Sequence, residues 1–141
     1  MTSEQIELVQ RAWGRVTALN NTYVQEVYAE LFRLSPELIN LFPDPAGMPV
    51  AKVSDTLNTV ITSLEQLDAL RFIIRDLGRR HQKFKVQSHQ FALLKQALTL
   101  VLARRLGEHF TPALSDAWSQ MYDEIAALML EGLGQHTPSV V

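Results

Sequence analysis

The chain has 141 residues, 47% of them hydrophobic, and a formal net charge of −2 at pH 7. That length makes one domain with a single sizeable core, and the apolar fraction excludes a disordered chain. The charge speaks against a nucleic-acid partner, and the absence of cysteine excludes disulfides, thiolate metal sites and cysteine nucleophiles.

The opening "MTSEQIELVQ" is polar and has no signal-peptide pattern. Apolar runs such as "ALTLVLA" are far too short to span a bilayer, so no membrane partner is expected. With the lack of disulfides, these features fit a cytoplasmic protein.

Helical periodicity runs throughout, and the predicted fold class is all-α. Thr2 and Gln5 have capping-box spacing, followed by Ile6, Val9, Trp13 and Val16 on one face. "ALNN" breaks this helix, and a second carries Val24, Val27, Tyr28, Leu31 and Leu34. Ser35 caps a short helix with Pro36 at its first position and Glu37 in its first turn. Residues 42–49, "FPDPAGMP", form a loop. From Val53 to Leu77 one apolar stripe runs on, with no proline or glycine between Ala51 and Leu77, and Gly78 is the first breaker. Ser88 can cap a helix bearing Phe91, Leu94, Leu98, Val101 and Leu102, and Gly107 ends it. Thr111 and Pro112 start the last helix, with Leu114, Trp118, Met121, Ile125 and Leu128 on one face. Residues 1–135 are expected to form the domain, and 136–141 a flexible tail or cut end.

No catalytic constellation stands out: there is no HExxH, no paired carboxylates on an apolar face and no Gly-rich phosphate loop. His136 lies in the tail, His109 in a turn and His89 in the first turn of a helix, and each reads as solvated. His81 sits in "RRHQKF" behind the long apolar stripe. By local pattern alone it is a solvated residue on a basic face, because one histidine without a partner cluster is a poor metal signature.

The stretch "VYAELFRLSPELINLF", residues 27–42, with "RRHQKFKV" and "LSDAWSQMY" further on, resembles the globin family. The likeness is greatest to bacterial single-domain and flavohaemoglobin-like globins, and it runs from about Ser3 to Gln135. It implies a globin fold around haem b (iron protoporphyrin IX), reversible binding of oxygen or another diatomic gas, and no enzymatic activity. It assigns His81 as the proximal iron ligand, Phe42 to the porphyrin face and Tyr28 to the distal pocket as a hydrogen-bond donor. Phe91 joins the cofactor-binding set. Neutral imidazole and a dry apolar pocket suit such a group. A haem-free helical regulatory domain is the remaining rival.

Three departures from the family matter. First, the helix after the loop, "MPVAKVSDTLNTV", has no distal histidine or glutamine; Val53 and Thr56 would line the pocket, and Lys52 is the one strong distal ligand candidate. A lysine ligates iron only when neutral, and from a reference pKa near 10.4 deprotonation at pH 7 costs about 4.6 kcal/mol. Lys52 is therefore either a second axial ligand or a snorkelling lysine paired with a haem propionate. Second, the tyrosine and glutamate with which flavohaemoglobin-like globins hydrogen-bond the proximal histidine fall at Phe91 and Leu133, so both partners are missing. Third, residues 51–77 show no corner signal. A continuous helix would part Lys52 from His81 by about 40 Å at about 1.5 Å per residue, and one haem would then need two chains, as a domain-swapped homodimer. An ordinary corner hidden in "EQLDALR" is the other reading. A second axial ligand and a swapped dimer would suit a gas- or redox-sensing input domain of a larger signalling protein. Arg71, Arg75 and Arg79 recur every four residues as a solvated face, partly balanced by Asp68 and Asp76. Those arginines nearest His81 could instead meet haem propionates.

Overall fold

The computed structural model describes residues 1–19, 22–41, 50–84 and 87–134, and among these all regular structure is helical. In chain order it runs α1 (Ser3–Leu19), α2 (Tyr23–Leu34), a 3-10 helix (Pro36–Leu41), α3 (Val50–Thr62), a 3-10 turn (Leu64–Gln66), α4 (Leu67–Arg80), a 3-10 turn (His81–Phe84), α5 (Ser88–Leu106), a 3-10 turn (Gly107–His109) and α6 (Pro112–Gly132). The loop predicted at 42–49, and with it Phe42, lies outside the described residues, as do the tail from 135 and His136.

The helix ends follow local chemistry. Thr2 and Gln5 form the reciprocal capping box: the Thr2 N–H donates to Gln5 Oε1 (2.8 Å) and the Gln5 N–H to Thr2 Oγ1 (3.1 Å). Thr111 Oγ1 accepts from the Leu114 N–H at 3.2 Å, with Pro112 opening α6. Gly107 closes α5 at φ +54°, a conformation that favours glycine. Ser88 is the first helical residue rather than the cap. Gln87 takes that place, its N–H bonded to Gln90 Oε1 at 2.7 Å. The short helix after Ser35 is of the 3-10 type throughout.

The continuous helix over 51–77 does not form. The chain turns at Ser63 (φ −113°, ψ 21°) and again at Gln66 (φ −114°, ψ 28°), so α3 and α4 are separate elements. The corner needs neither glycine nor proline. Thr59, Val60, Ile61 and Thr62 are β-branched, and the Thr62 hydroxyl bonds back to the Asn58 carbonyl at 2.7 Å. Such residues weaken a helix and back-bonding bends it. Burial of Ile61, Leu64 and Ile74 then fixes the turn onto the core. The geometric reason for a domain-swapped pair thus falls away.

Gly78 is not a breaker either. It is buried within α4, which continues to Arg80, because α6 passes too close for a side chain. α4 packs along α6, α2 on α5, and α3 across α1 and α2. The core gathers Val9, Trp13, Val16, Val27, Ile61, Val101, Leu102 and Trp118 from α1, α2, α3, α5 and α6. Trp13 Nε1 donates to Asn58 Oδ1 (3.1 Å), joining α1 to α3, and its ring meets Tyr23 edge-on at 5.4 Å.

A polar seam joins α2 to α5. Glu30, 8% exposed, accepts from Arg104 and, at 2.9 Å, from Arg33. The neighbouring Arg105 binds Glu26 Oε2 (2.6 Å), Thr22 Oγ1 (2.6 Å) and the Val16 carbonyl (3.2 Å). The solvated arginine face of α4 is largely paired: Arg79 and Arg80 with Asp76, Arg71 with Asp68 at 3.9 Å, and Arg75 with Glu131 of α6 at 2.6 Å.

Gly14 is an exposed interior residue of α1 with open space where a Cβ would go. Gly14→Ala should therefore raise unfolding stability by about 0.5–1 kcal/mol, through the lower backbone entropy of the unfolded chain and better helix propensity. A urea midpoint that fell would contradict this.

Candidate functional site

His81 stands at the C-terminal end of α4, half-buried, where the helix tightens into its closing 3-10 turn. Its Nδ1 lies 2.6 Å from the Leu77 carbonyl oxygen, one turn back. A carbonyl oxygen can only accept, so Nδ1 carries the proton. In the neutral ring the lone pair then sits on Nε2. The same bond fixes the ring's orientation and makes it a better donor to a metal. Sequence reading missed this partner, because it is a main-chain atom that every residue type supplies.

Tyr28 is 9% exposed on α2, its ring stacked near Phe32 (centroids 6.1 Å apart, planes at 21°). Burial pushes its phenol above the ordinary range, so it stays protonated and able to donate. Val53 of α3 packs half-buried against the same core, as do Phe32, Leu41, Val50, Leu57 and Leu94. These come from α2, the 3-10 helix after it, α3 and α5, and together they offer partly covered apolar surface.

Lys52 and Thr56 are one helical turn apart on α3, and both are exposed. The Thr56 hydroxyl bonds the Lys52 carbonyl at 2.8 Å. Val53 thus faces the core while its two predicted companions do not. Phe91 is buried in a separate cluster with Ala126 and Leu133, beside Tyr122, Met129 and Leu130. The Tyr122 hydroxyl, raised by burial, donates to the Phe91 carbonyl at 2.5 Å. Phe91 and Leu133, the positions expected to lack a polar partner for the proximal histidine, do sit together as an apolar pair. Exposure of His89 and His109 matches their reading as solvated residues.

Among the described residues no group of three or more histidine, cysteine, aspartate or glutamate side chains could hold a metal ion. A lone imidazole holds iron firmly only where other donors complete the coordination, as the four ring nitrogens of a porphyrin do. His81 offers one oriented imidazole as a donor, and Tyr28 and the partly covered apolar residues are of the kinds that suit an iron porphyrin's surroundings. The residues present fit that group. No described helix is long and apolar enough to cross a membrane.

The globin family profile matches residues 25–129. Neuroglobin of Tetraodon nigroviridis is 29% identical, over 94% of this chain and 92% of its own length. Neuroglobin-1 of Oncorhynchus mykiss and neuroglobin of Chaenocephalus aceratus are each 27% identical, with the same coverage. These relatives are vertebrate neuroglobins, not the bacterial flavohaemoglobin-like or sensor globins that the sequence motifs suggested.

Proposed function

The chain belongs to the globin family and is a haem-binding protein that binds oxygen or another diatomic gas; from that premise we propose that His81 is its proximal ligand and Tyr28 its distal hydrogen-bond donor. The observation that carries this reading is the His81 Nδ1–Leu77 carbonyl bond, which orients the ring and puts its lone pair on Nε2, the atom we assign to the iron. The chain has no cysteine for thioether attachment, and haem b is the group that resemblance to the globins implies. Haem, when bound, would supply the iron to which the gas binds.

The protein's own part is to hold, orient and keep dry. A carbonyl is a weaker acceptor than a carboxylate, so Leu77 makes His81 only moderately electron-rich. That suits reversible binding without enzymatic turnover. Val53 and Leu57, with Phe42 against the ring face, would exclude water from the group, and Phe91 backs the proximal side through its cluster with Leu133. The exposure of Lys52 supports contact with a haem propionate over iron ligation, and the exposed Thr56 would border the same edge. A single cytoplasmic haem domain over residues 1–135 is the organisation we assign.

A gas- or redox-sensing input domain draws less support. It leaned on Lys52 as a second axial ligand and on an unbroken helix joining two chains. Lys52 is exposed, and the helix breaks at residues 63–66.

Absorption spectra of the ferric and ferrous protein, with and without carbon monoxide, test the proposal. We expect a Soret band that moves on adding carbon monoxide and is unchanged in Lys52→Ala. A purified protein that takes up no haem when supplied with it would overturn the reading. Tyr28→Phe should speed gas release about tenfold, the effect of one hydrogen bond to a polar ligand of about 1.4 kcal/mol. An unaltered release rate would remove Tyr28 from the distal role.

A further inference from the structure

α4 and α6 meet backbone to backbone. Gly78 is buried inside α4, and Gly132 is the last residue of α6. A Cβ on Gly78 would lie 2.7 Å from Met129 Cα and closer still to the Met129 carbonyl oxygen. One on Gly132 would lie 2.8 Å from the Arg75 carbonyl carbon, 3.0 Å from the Arg79 nitrogen, and closest to the Arg75 carbonyl oxygen. The arrangement is reciprocal, since each glycine faces main chain of the helix that carries the other. Gly14, also within a helix, faces open space. Glycine weakens a helix relative to alanine, so two at one crossing are a cost that close approach must offset.

The crossing lies beside the histidine. Gly78 is three residues before His81, about 4.5 Å along the helix axis at about 1.5 Å per residue. Leu77, whose carbonyl orients the imidazole, is the residue next to Gly78. Two side-chain ties bracket the glycines: Arg75 to Glu131 at 2.6 Å, and Gln82 Nε2 to the Leu133 carbonyl at 3.4 Å. Residues on both sides of His81 are thus held to the last turn of α6.

We infer that Gly78 and Gly132 are positioning residues for His81: their crossing makes the last turn of α6 the support that sets where the imidazole stands, so a shift of that turn reaches Nε2. The inference rests on the reading of His81 as the iron's ligand. It gives the end of α6 a role in tuning the proximal bond although that turn supplies no iron ligand.

The test is resonance Raman of the ferrous, haem-loaded protein, read at the iron–histidine stretching band, together with haem affinity. Gly132→Ala should displace the band and lower haem affinity about 10- to 100-fold, as changes behind a metal ligand do. Glu131→Ala removes the tie to Arg75, a surface change that spares the fold, and should displace the band less in the same direction. Val9→Ala, a core change in α1 away from the crossing, should lower the unfolding midpoint and leave the band in place. Glycine variants that lose stability but keep the wild-type band would overturn the inference. Should Gly132→Ala not fold, a wild-type band in Glu131→Ala would overturn it equally. An unchanged band in His81→Ala would instead refute the ligand assignment, which separates the two failures.

Discussion

Trp118→Ala is expected to lower unfolding stability by about 3 kcal/mol, at the lower end of the roughly 3–5 kcal/mol typical of large-to-small core changes. Trp118 is 1% exposed and heads the fully buried side chains by size. It lies on α6 among Leu114, Ala117 and Met121, and α6 packs against α1, α4 and α5. Helices held on several sides cannot all collapse into the space left, so a cavity would persist. A second effect works the other way. Among the described residues the indole N–H has no hydrogen-bond partner, and an unmade bond of this kind costs about 1–3 kcal/mol. Removing it offsets part of the packing loss, which is why the lower figure is expected. Trp118→Phe separates the two contributions, because it keeps most of the ring and deletes the donor, and it should be much milder. Urea unfolding with unchanged slope would read both values. A shift below about 1 kcal/mol for the alanine variant would mean that the core repacks freely around this site. Against a net stability of about 5–15 kcal/mol the expected loss is large.

Arg105→Ala is expected to lower stability by about 2–3 kcal/mol. The guanidinium joins three helices: the Val16 carbonyl near the end of α1, Thr22 and Glu26 at the start of α2, and its own position near the end of α5. It also lies 5.9 Å from the centre of the Tyr23 ring. Breaking a fully buried pair costs about 3–5 kcal/mol. Here the Arg105 side chain is 9% exposed but that of Glu26 is 39% exposed, so water can reach the carboxylate left behind and the figure is reduced. Arg105→Lys should recover only part of the loss, since an ammonium cannot spread its donors over three acceptors in one plane. An alanine variant as stable as the parent would show that the seam is ornamental to the fold.

Helix starts were legible at two places where one segment contains its own cause. Thr2 with Gln5 and Thr111 with Pro112 are such cases, and each forms the cap that its residues specify. The corner was harder to read, because attention to glycine and proline passes over "TVITS", where β-branching and a hydroxyl bonded back to the main chain do the same work. Gly78 was misread for a different reason. Its backbone freedom is visible in the sequence, but the helix that requires its bareness lies 51 residues away at Met129.

The candidate site divides along the same line. The candidates His81, Tyr28 and Val53 came from resemblance to the globins. Their environment did not: the partner of His81 is a main-chain oxygen, and the face on which Lys52 and Thr56 sit depends on the register of α3. The motifs that resembled flavohaemoglobin-like globins support the family alone. The departures at Phe91 and Leu133 spoke against peroxidase-like chemistry but did not by themselves redirect the reading from that branch.

The most direct measurement is haem uptake and axial ligation in His81→Ala, followed by ferric and ferrous absorption spectra with and without added imidazole. The expected result is weak haem retention with loss of the parent's axial-ligand spectrum, restored when free imidazole supplies the missing nitrogen. A His81→Ala protein that takes up haem as the parent does and shows the parent's spectrum without imidazole would contradict the assignment of His81.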